Sequence, residues 1–223
     1  MKKKRNFFVQ VLRFIVYAHL FFWTIIATLC LFYNFINPPI TPLMIQRKLI
    51  RGYECQPRKY IPLEEIPKSV VRMTIIVEDA NYYHHFGFDW DMIKKAWEKN
   101  KKSEKIRYGA STISNQVART IFLTTNRNVL RKYLEAQVTV IMELLMTKDR
   151  MLELYLNYVE WGKGIYGIET ASYYYYGTSC RNLSKTQAMK LVSILSNPID
   201  YTPQTYYRSP SARARYNMLQ RYF

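Results

Sequence analysis

Cysteine and histidine are scarce in this chain, three of each among 223 residues, and that shortage excludes two classes of protein. Cys30 falls in a long apolar run. Only Cys55 and Cys180 remain, too few for a disulfide framework and without metal-ligand spacing, so free thiols are expected. His84 and His85 are adjacent, and on a helix neighbouring side chains diverge by ~100°, which prevents them from gripping one metal together. The helical zinc pattern, two His four apart with an intervening Glu, is missing as well. No metal site is expected. Sustained alternation of polar and apolar residues is also absent, which argues against a sheet protein and for an essentially all-α domain.

Acids are outnumbered, 16 against 33 Lys and Arg, for a formal net charge of +17. Five of the basic residues and no acid lie in residues 1–36, so the remainder still carries +12. A domain that basic suits polyanions: nucleic acid, anionic lipid heads or a phosphorylated substrate. No basic recognition helix or nucleic-acid motif stands out, so nucleic acid is the weakest of the three.

From Phe14 to Phe35 there is no charged residue. At ~1.5 Å rise each, those residues cover a ~30 Å hydrocarbon core as one spanning helix. The run is bulky and stops at Asn37-Pro38-Pro39, unlike a cleaved signal peptide. Lys2, Lys3, Lys4, Arg5 and Arg13 precede it, which puts the N-terminus in the cytoplasm and the rest outside. His19, alone in the span, is expected to be neutral and hydrogen-bonded locally. The organisation expected is a basic tail (1–13), a transmembrane helix (14–36), a Pro-rich, turn-like stalk (37–60) and a domain (61–223).

Within the domain, helix signals dominate. Pro67 can open a helix through "KSVVRMTIIVED". Ser111 is the expected N-cap of a helix in which Ile113, Val117 and Ile121 recur every four residues. Further helices are expected over "NVLRKYLEAQVTVIMELLM", "DRMLELYLNYV", "AMKLVSILS" behind the capping box of Ser184 and Gln187, and "SPSARARYNMLQRYF". The glycines at 162, 164 and 167 lack the spacing of a phosphate-cradling loop and read as a tight connection.

Two stretches hold candidate chemistry. Glu78 and Asp79 end a helix, where an acid opposes the dipole, and Tyr82, Tyr83 and Phe86 follow; such surroundings favour a carboxylate poised as a base. Ion pairing at a helix end accounts for the same pair equally well. In "RNVLRKYLEAQ", Glu135 stands four residues from Arg131 and three from Lys132, the spacing of a helical ion-pair cluster. Arg119, Arg127, Arg131 and Lys132 also concentrate the forks that bind phosphate oxygens, as a diphosphate site requires, with a solvated basic face as the alternative.

Five stretches in order, "EDANYYHHFGFD", "GASTISNQVARTIFL", "RNVLRKYLEAQ", "MLELYLNYVEWGKGIYGIETASYYYYG" and "LSKTQAMKLVSILSNP", resemble the monofunctional biosynthetic peptidoglycan glycosyltransferases. These are relatives of the glycosyltransferase domain of class A penicillin-binding proteins. The resemblance covers roughly residues 60–200. It implies a mainly α, lysozyme-like domain with a smaller membrane-apposed lobe, held on the outer side of the cell inner membrane. It also implies polymerisation of lipid II, an undecaprenyl-diphosphate-linked disaccharide-pentapeptide, into β-1,4 glycan strands with inversion.

By position, Glu78 matches the family's catalytic base and Glu135 its second acid, which organises the donor. Arg119, Arg127, Arg131, Lys132, Gln116 and Ser111 fall on substrate-binding positions, with Asp79 and His85 in support. No cofactor is implied as required, although a Mg²⁺ or Mn²⁺ bridging diphosphate and Glu135 is compatible with it. The implied partners are lipid II, the growing strand, the membrane and other cell-wall synthesis or division proteins. With the chain ending at Phe223, no transpeptidase activity is expected. Tyr82 replaces a usual Phe, Ala110 a Gly, Asn115 a Gln, Arg119 a Lys and Leu134 a frequent Lys. Two rivals remain: a membrane-anchored lytic enzyme using Glu78 as general acid, and an inactive scaffold that binds precursor or division proteins.

Overall fold

The computed structural model describes residues 2–101, 109–126 and 128–223, without the side chains of residues 2–5. The described architecture is mainly α: α1 (Lys2–Tyr33), α2 (Pro42–Arg51), α3 (Lys68–Glu78), α4 (Trp90–Lys101), α5 (Ile113–Phe122), α6 (Val129–Leu145) and α7 (Lys148–Tyr158) come first. An antiparallel hairpin of β1 (Glu160–Gly162) and β2 (Ile165–Tyr166) follows, then α8 (Ile168–Tyr176), α9 (Lys185–Ser193) and α10 (Pro210–Tyr222). The expected tight glycine connection is therefore a hairpin. Gly164 turns it at φ 73°, where a Cβ would sit 2.1 Å from the Glu54 carbonyl oxygen.

α1 is long and apolar enough to cross a membrane over Asn6–Tyr33. It is more than a lipid-facing rod, because Ile26 and Cys30 are buried in the protein core. His19 is locally bonded as expected, Nδ1 lying 2.8 Å from the Ile15 carbonyl, but its Nε2 also meets the Tyr133 hydroxyl of α6 at 3.0 Å. One turn on, the Trp23 indole donates to Gln137. At the end of α1 the open carbonyls need donors. Arg150 supplies them, giving Nε to Tyr33 O at 2.6 Å and Nη2 to Asn37 Oδ1 at 2.8 Å, while Arg58 reaches Pro38 O at 2.9 Å.

The segment between that end and α3 departs from expectation. The prolines suggested turns throughout, yet Thr41 caps Met44 N, Pro42 takes the first helical position and Gly52 closes the helix at φ 66°. The resulting α2 buries Leu43 and Met44. Proline pre-organises a helix start as readily as it breaks a helix interior, and capping residues on both sides decide between the two. Likewise Thr112, not Ser111, accepts from Asn115 N and caps α5. The capping box of Ser184 and Gln187 forms as expected, and Pro210 opens α10 behind the cap of Ser209.

The core that these elements share is rich in large rings, with Trp161, Tyr82, Tyr155, Tyr158 and Tyr166 nearly inaccessible. The Tyr82 hydroxyl donates to the Lys148 carbonyl at 2.8 Å, which satisfies its buried polar end. Gly87 lies against α6 at φ 74°, and a Cβ there would come within 2.7 Å of Thr139 Cγ2. Its carbonyl accepts from Thr112 Oγ1 at 2.7 Å, tying the loop after α3 to the start of α5. Gly87→Ala is expected to cost about 2–4 kcal/mol through backbone strain and overpacking together. A thermal melt lowered by several degrees checks it.

Candidate active site

Glu78 is the last residue of α3, and its side chain is only 6% exposed. Gln116 of α5 donates Nε2 to Glu78 Oε2 at 2.8 Å, and Arg215 of α10 donates to Oε1. The Tyr155 hydroxyl of α7 closes the chain by meeting Gln116 Oε1 at 3.4 Å. Burial first, then the Glu78 charge, holds the pKa of the Tyr155 phenol well above its ordinary value, while Arg215 and Arg119 oppose that rise. Tyr155 therefore stays a neutral hydrogen-bond donor to Gln116.

Glu78 and Gln116 open on different cavities. One of about 160 Å³ is lined by Glu78, Asp79, Asn81, Asp89, Ser111 and Thr112, among others. The other, about 620 Å³, receives Gln116, Arg119 and Arg131 from α5 and α6 and Arg47 and Arg51 from α2. Gln116 lines the larger cavity and holds the carboxylate that lines the smaller, so one hydrogen bond links the acid to the arginine-bearing wall. Arg119 Nε is buried, with no hydrogen-bond partner among the described residues. A guanidinium with unused donors in a recess is suited to an anion.

The supporting residues sit behind this front. Asp79 accepts from His85 Nε2 at 3.0 Å and from the Ile113 amide at 2.9 Å, an anion placed at the start of α5 where the helix dipole favours it. His84 is exposed and takes no part in that arrangement. Burial pushes the Asp89 carboxyl up, but bonds from the Met92 amide and Asn81 outweigh it and leave it below its ordinary value.

The aromatics of the same loop do not wall the carboxylate as expected. Tyr82 is buried under Lys148, Tyr83 is exposed and bonds Asp149, and Phe86 is exposed. A short helical turn at Tyr82–His84 brings the Tyr82 and Tyr83 hydroxyls to Lys148 and Asp149 at the start of α7. The neighbours of Glu78 are polar instead.

Glu135 is fully buried and takes Arg131 on one oxygen and Lys132 on the other. It does not line either cavity; Arg131 stands between, also bonded through Nε to Asn126 O. With both oxygens on cations, Glu135 does not suit a bridging divalent ion. Lys132 is half-exposed and outside the cavity lining, and Arg127 lies outside the described residues.

Sequence reasoning missed Arg215 and the α2 wall. Arg215 is 137 residues from Glu78, and nothing in "SARARYNM" separates it from an ordinary basic helix face. The α2 wall was hidden by its prolines, although Thr41-Pro42 and Gly52 were available as a capping signature. Arg47 gives both Nε and Nη2 to the single oxygen Oε2 of Glu160, at 3.1 and 2.9 Å, linking α2 to β1.

Burial raises the Glu160 carboxyl above its ordinary value, with Arg47 partly offsetting the effect. A raised acid binds its proton more tightly folded than unfolded, so its contribution to stability falls as pH climbs from the unfolded value through the folded one. Glu160→Gln is therefore expected to gain melting temperature relative to the parent at pH 8 compared with pH 4. Paired melts at the two pH values check the sign.

A nearly buried carboxylate bonded to Gln116, which lines a cavity with several arginines, is the kind of arrangement found in group-transfer enzymes. The family model described as Transglycosylase matches residues 46–222, and the chain belongs to that family. It is 41% identical over 170 residues to the biosynthetic peptidoglycan transglycosylase of Caulobacter vibrioides, covering 76% of this chain and 72% of that protein. Proteins of the same name from Haemophilus influenzae and Pseudomonas aeruginosa are 42% identical over 188 residues and 39% over 194. Those two alignments cover 82% and 84% of this chain, and 78% and 83% of the relatives.

Proposed function

We propose that this protein is a membrane-anchored peptidoglycan glycosyltransferase that polymerises lipid II into β-1,4 glycan strands and releases undecaprenyl diphosphate, without transpeptidation. The observation that carries the reading is Gln116, which lines the arginine-bearing cavity and donates to the Glu78 carboxylate. In this reaction the acceptor sugar's 4-hydroxyl attacks the donor's anomeric carbon from the face opposite the diphosphate. Glu78 takes the hydroxyl proton as the new C–O bond forms, and the bond from carbon to phosphate oxygen breaks with its electron pair on the diphosphate. Arg119 and Arg131, with Arg127 by position, stabilise that charge as it develops. Inversion follows from the single displacement.

Positioning of the substrate at a bilayer is supported by α1 and by apolar side chains left exposed beside it on α6, including Leu130, Tyr133 and Leu144. The basic residues in the first turns of α1, ahead of its uncharged stretch, support a cytoplasmic N-terminus and a periplasmic catalytic domain at the inner membrane. The growing strand and other cell-wall synthesis or division proteins are the partners this role implies, and nucleic acid is not among them.

A lytic enzyme of opposite sense would need a general acid for an alkoxide leaving group and a second carboxylate, and has no use for the arginines. Labelled lipid II incubated with the purified protein in detergent tests the proposal. Formation of polymer supports it; cleavage of finished glycan, or binding without product, rejects it.

A further inference from the structure

Arg215 is held in place by the fold, yet most of its donors are unspent. α10 packs on α3 and α9 through Ala212, Tyr216 and Leu219, with the Tyr216 ring 4.6 Å from that of Tyr206. That packing sets the adjoining residue, Arg215, against the end of α3, where one guanidinium nitrogen meets Glu78 Oε1. The side chain is 24% exposed, and Glu78 is its single partner among the described residues. A guanidinium carries five N–H donors in a rigid fork, so several remain directed away from Glu78.

The surroundings favour an anion for those donors. Arg119 stands on α5 beside Gln116 in the lining of the larger cavity, and Gln116 shares the Glu78 carboxylate with Arg215. Nearby acids are engaged elsewhere: Asp79 with His85 and Ile113, Asp89 with Asn81 and Met92.

We infer that Arg215 is a positioning residue that links substrate to base: it fixes Glu78 with one donor and gives its remaining donors to a phosphate oxygen of the lipid-linked substrate. The inference rests on the function proposed above. It has a mechanical consequence. When the phosphate draws the guanidinium, the grip on Glu78 Oε1 loosens and that oxygen turns to the acceptor hydroxyl. Until then Arg215 covers the same oxygen. The base is exposed only once an anionic substrate has arrived.

Full-length parent, Arg215→Met and Arg215→Lys, purified in detergent, are to be compared for kcat and KM on labelled lipid II and for inhibition by inorganic pyrophosphate. Arg215→Met is expected to raise KM about tenfold and lower kcat about tenfold, because both the phosphate contact and the orientation of Glu78 are lost. Arg215→Lys retains the charge and is expected to recover most of KM but little of kcat, since a point charge lacks the fork. Weaker inhibition by pyrophosphate in Arg215→Met, restored in Arg215→Lys, supports the phosphate contact.

A lowered melting temperature with both kinetic constants and pyrophosphate inhibition within twofold of the parent reduces Arg215 to a packing residue and overturns the inference. A fall in kcat alone, with KM and inhibition unchanged, overturns the phosphate half of it. If the parent makes no polymer, the proposed function fails instead, and pyrophosphate binding measured by titration calorimetry on the same three proteins still decides the role of Arg215.

Discussion

Glu78→Gln leaves a folded protein whose kcat for polymer formation is lower by ~10²–10⁴, the range a single general base contributes. The substitution preserves shape at the end of α3. The amide oxygen can keep the bond from Arg215, and its NH2 can donate to Gln116 once that side-chain amide turns over. What disappears is the acceptor for the hydroxyl proton. Because the arginines of the larger cavity are untouched, KM for lipid II is expected to stay within about threefold, so the loss falls on turnover. A Glu78→Gln protein that melts with the parent but polymerises at more than a tenth of its rate would assign the base elsewhere. Asp79 is the nearest alternative acid, and its two bonds to His85 and Ile113 make it a poor one.

Glu135→Gln is expected to lower kcat/KM on the order of 10², mostly through KM, by a route different from that of Glu78. Glu135 is buried and away from the cavities, so it acts through Arg131. Its charge fixes that guanidinium at the cavity wall and offsets the repulsion between Arg131 and Lys132, one residue apart. A neutral amide offers a weaker acceptor to two cations. Breaking a buried pair by removing one partner typically costs ~3–5 kcal/mol, with the lower end expected here because Lys132 is half-exposed and can return to water. Kinetics and a thermal melt of the same variant separate the two effects. A loss confined to kcat, with KM unchanged, would give Glu135 a direct part in the chemistry.

The balance between sequence and structure is clearest at particular residues. The spanning helix, α5 through α7 and the capping of α9 and α10 follow from local rules, since apolar period and cap chemistry act within a few residues. Assignments that failed were those where local signals conflict. Pro42 reads as a breaker or a starter, and Ser111 and Thr112 are equally good caps until the hydroxyl of one is aligned with Asn115 N. The loop aromatics misled for a different reason: sequence proximity to Glu78 says nothing about direction, and the turn at Tyr82–His84 points them at α7 and solvent.

By itself the sequence determined the class of fold, the apolar N-terminal helix, the basic character of the domain, and the identities of Glu78, Gln116, Arg119 and Arg131 as residues to examine. Each is a matter of composition, period or ordered motif. Tertiary structure alone decided that Glu135 faces inward onto Arg131 while Glu78 opens at a cavity, that α2 supplies a wall with Arg47, and that Arg215 reaches the carboxylate from the far end of the chain. Side-chain partners separated by more than 100 residues are set by how helices pack, and packing depends on the whole core at once rather than on any stretch that can be read alone.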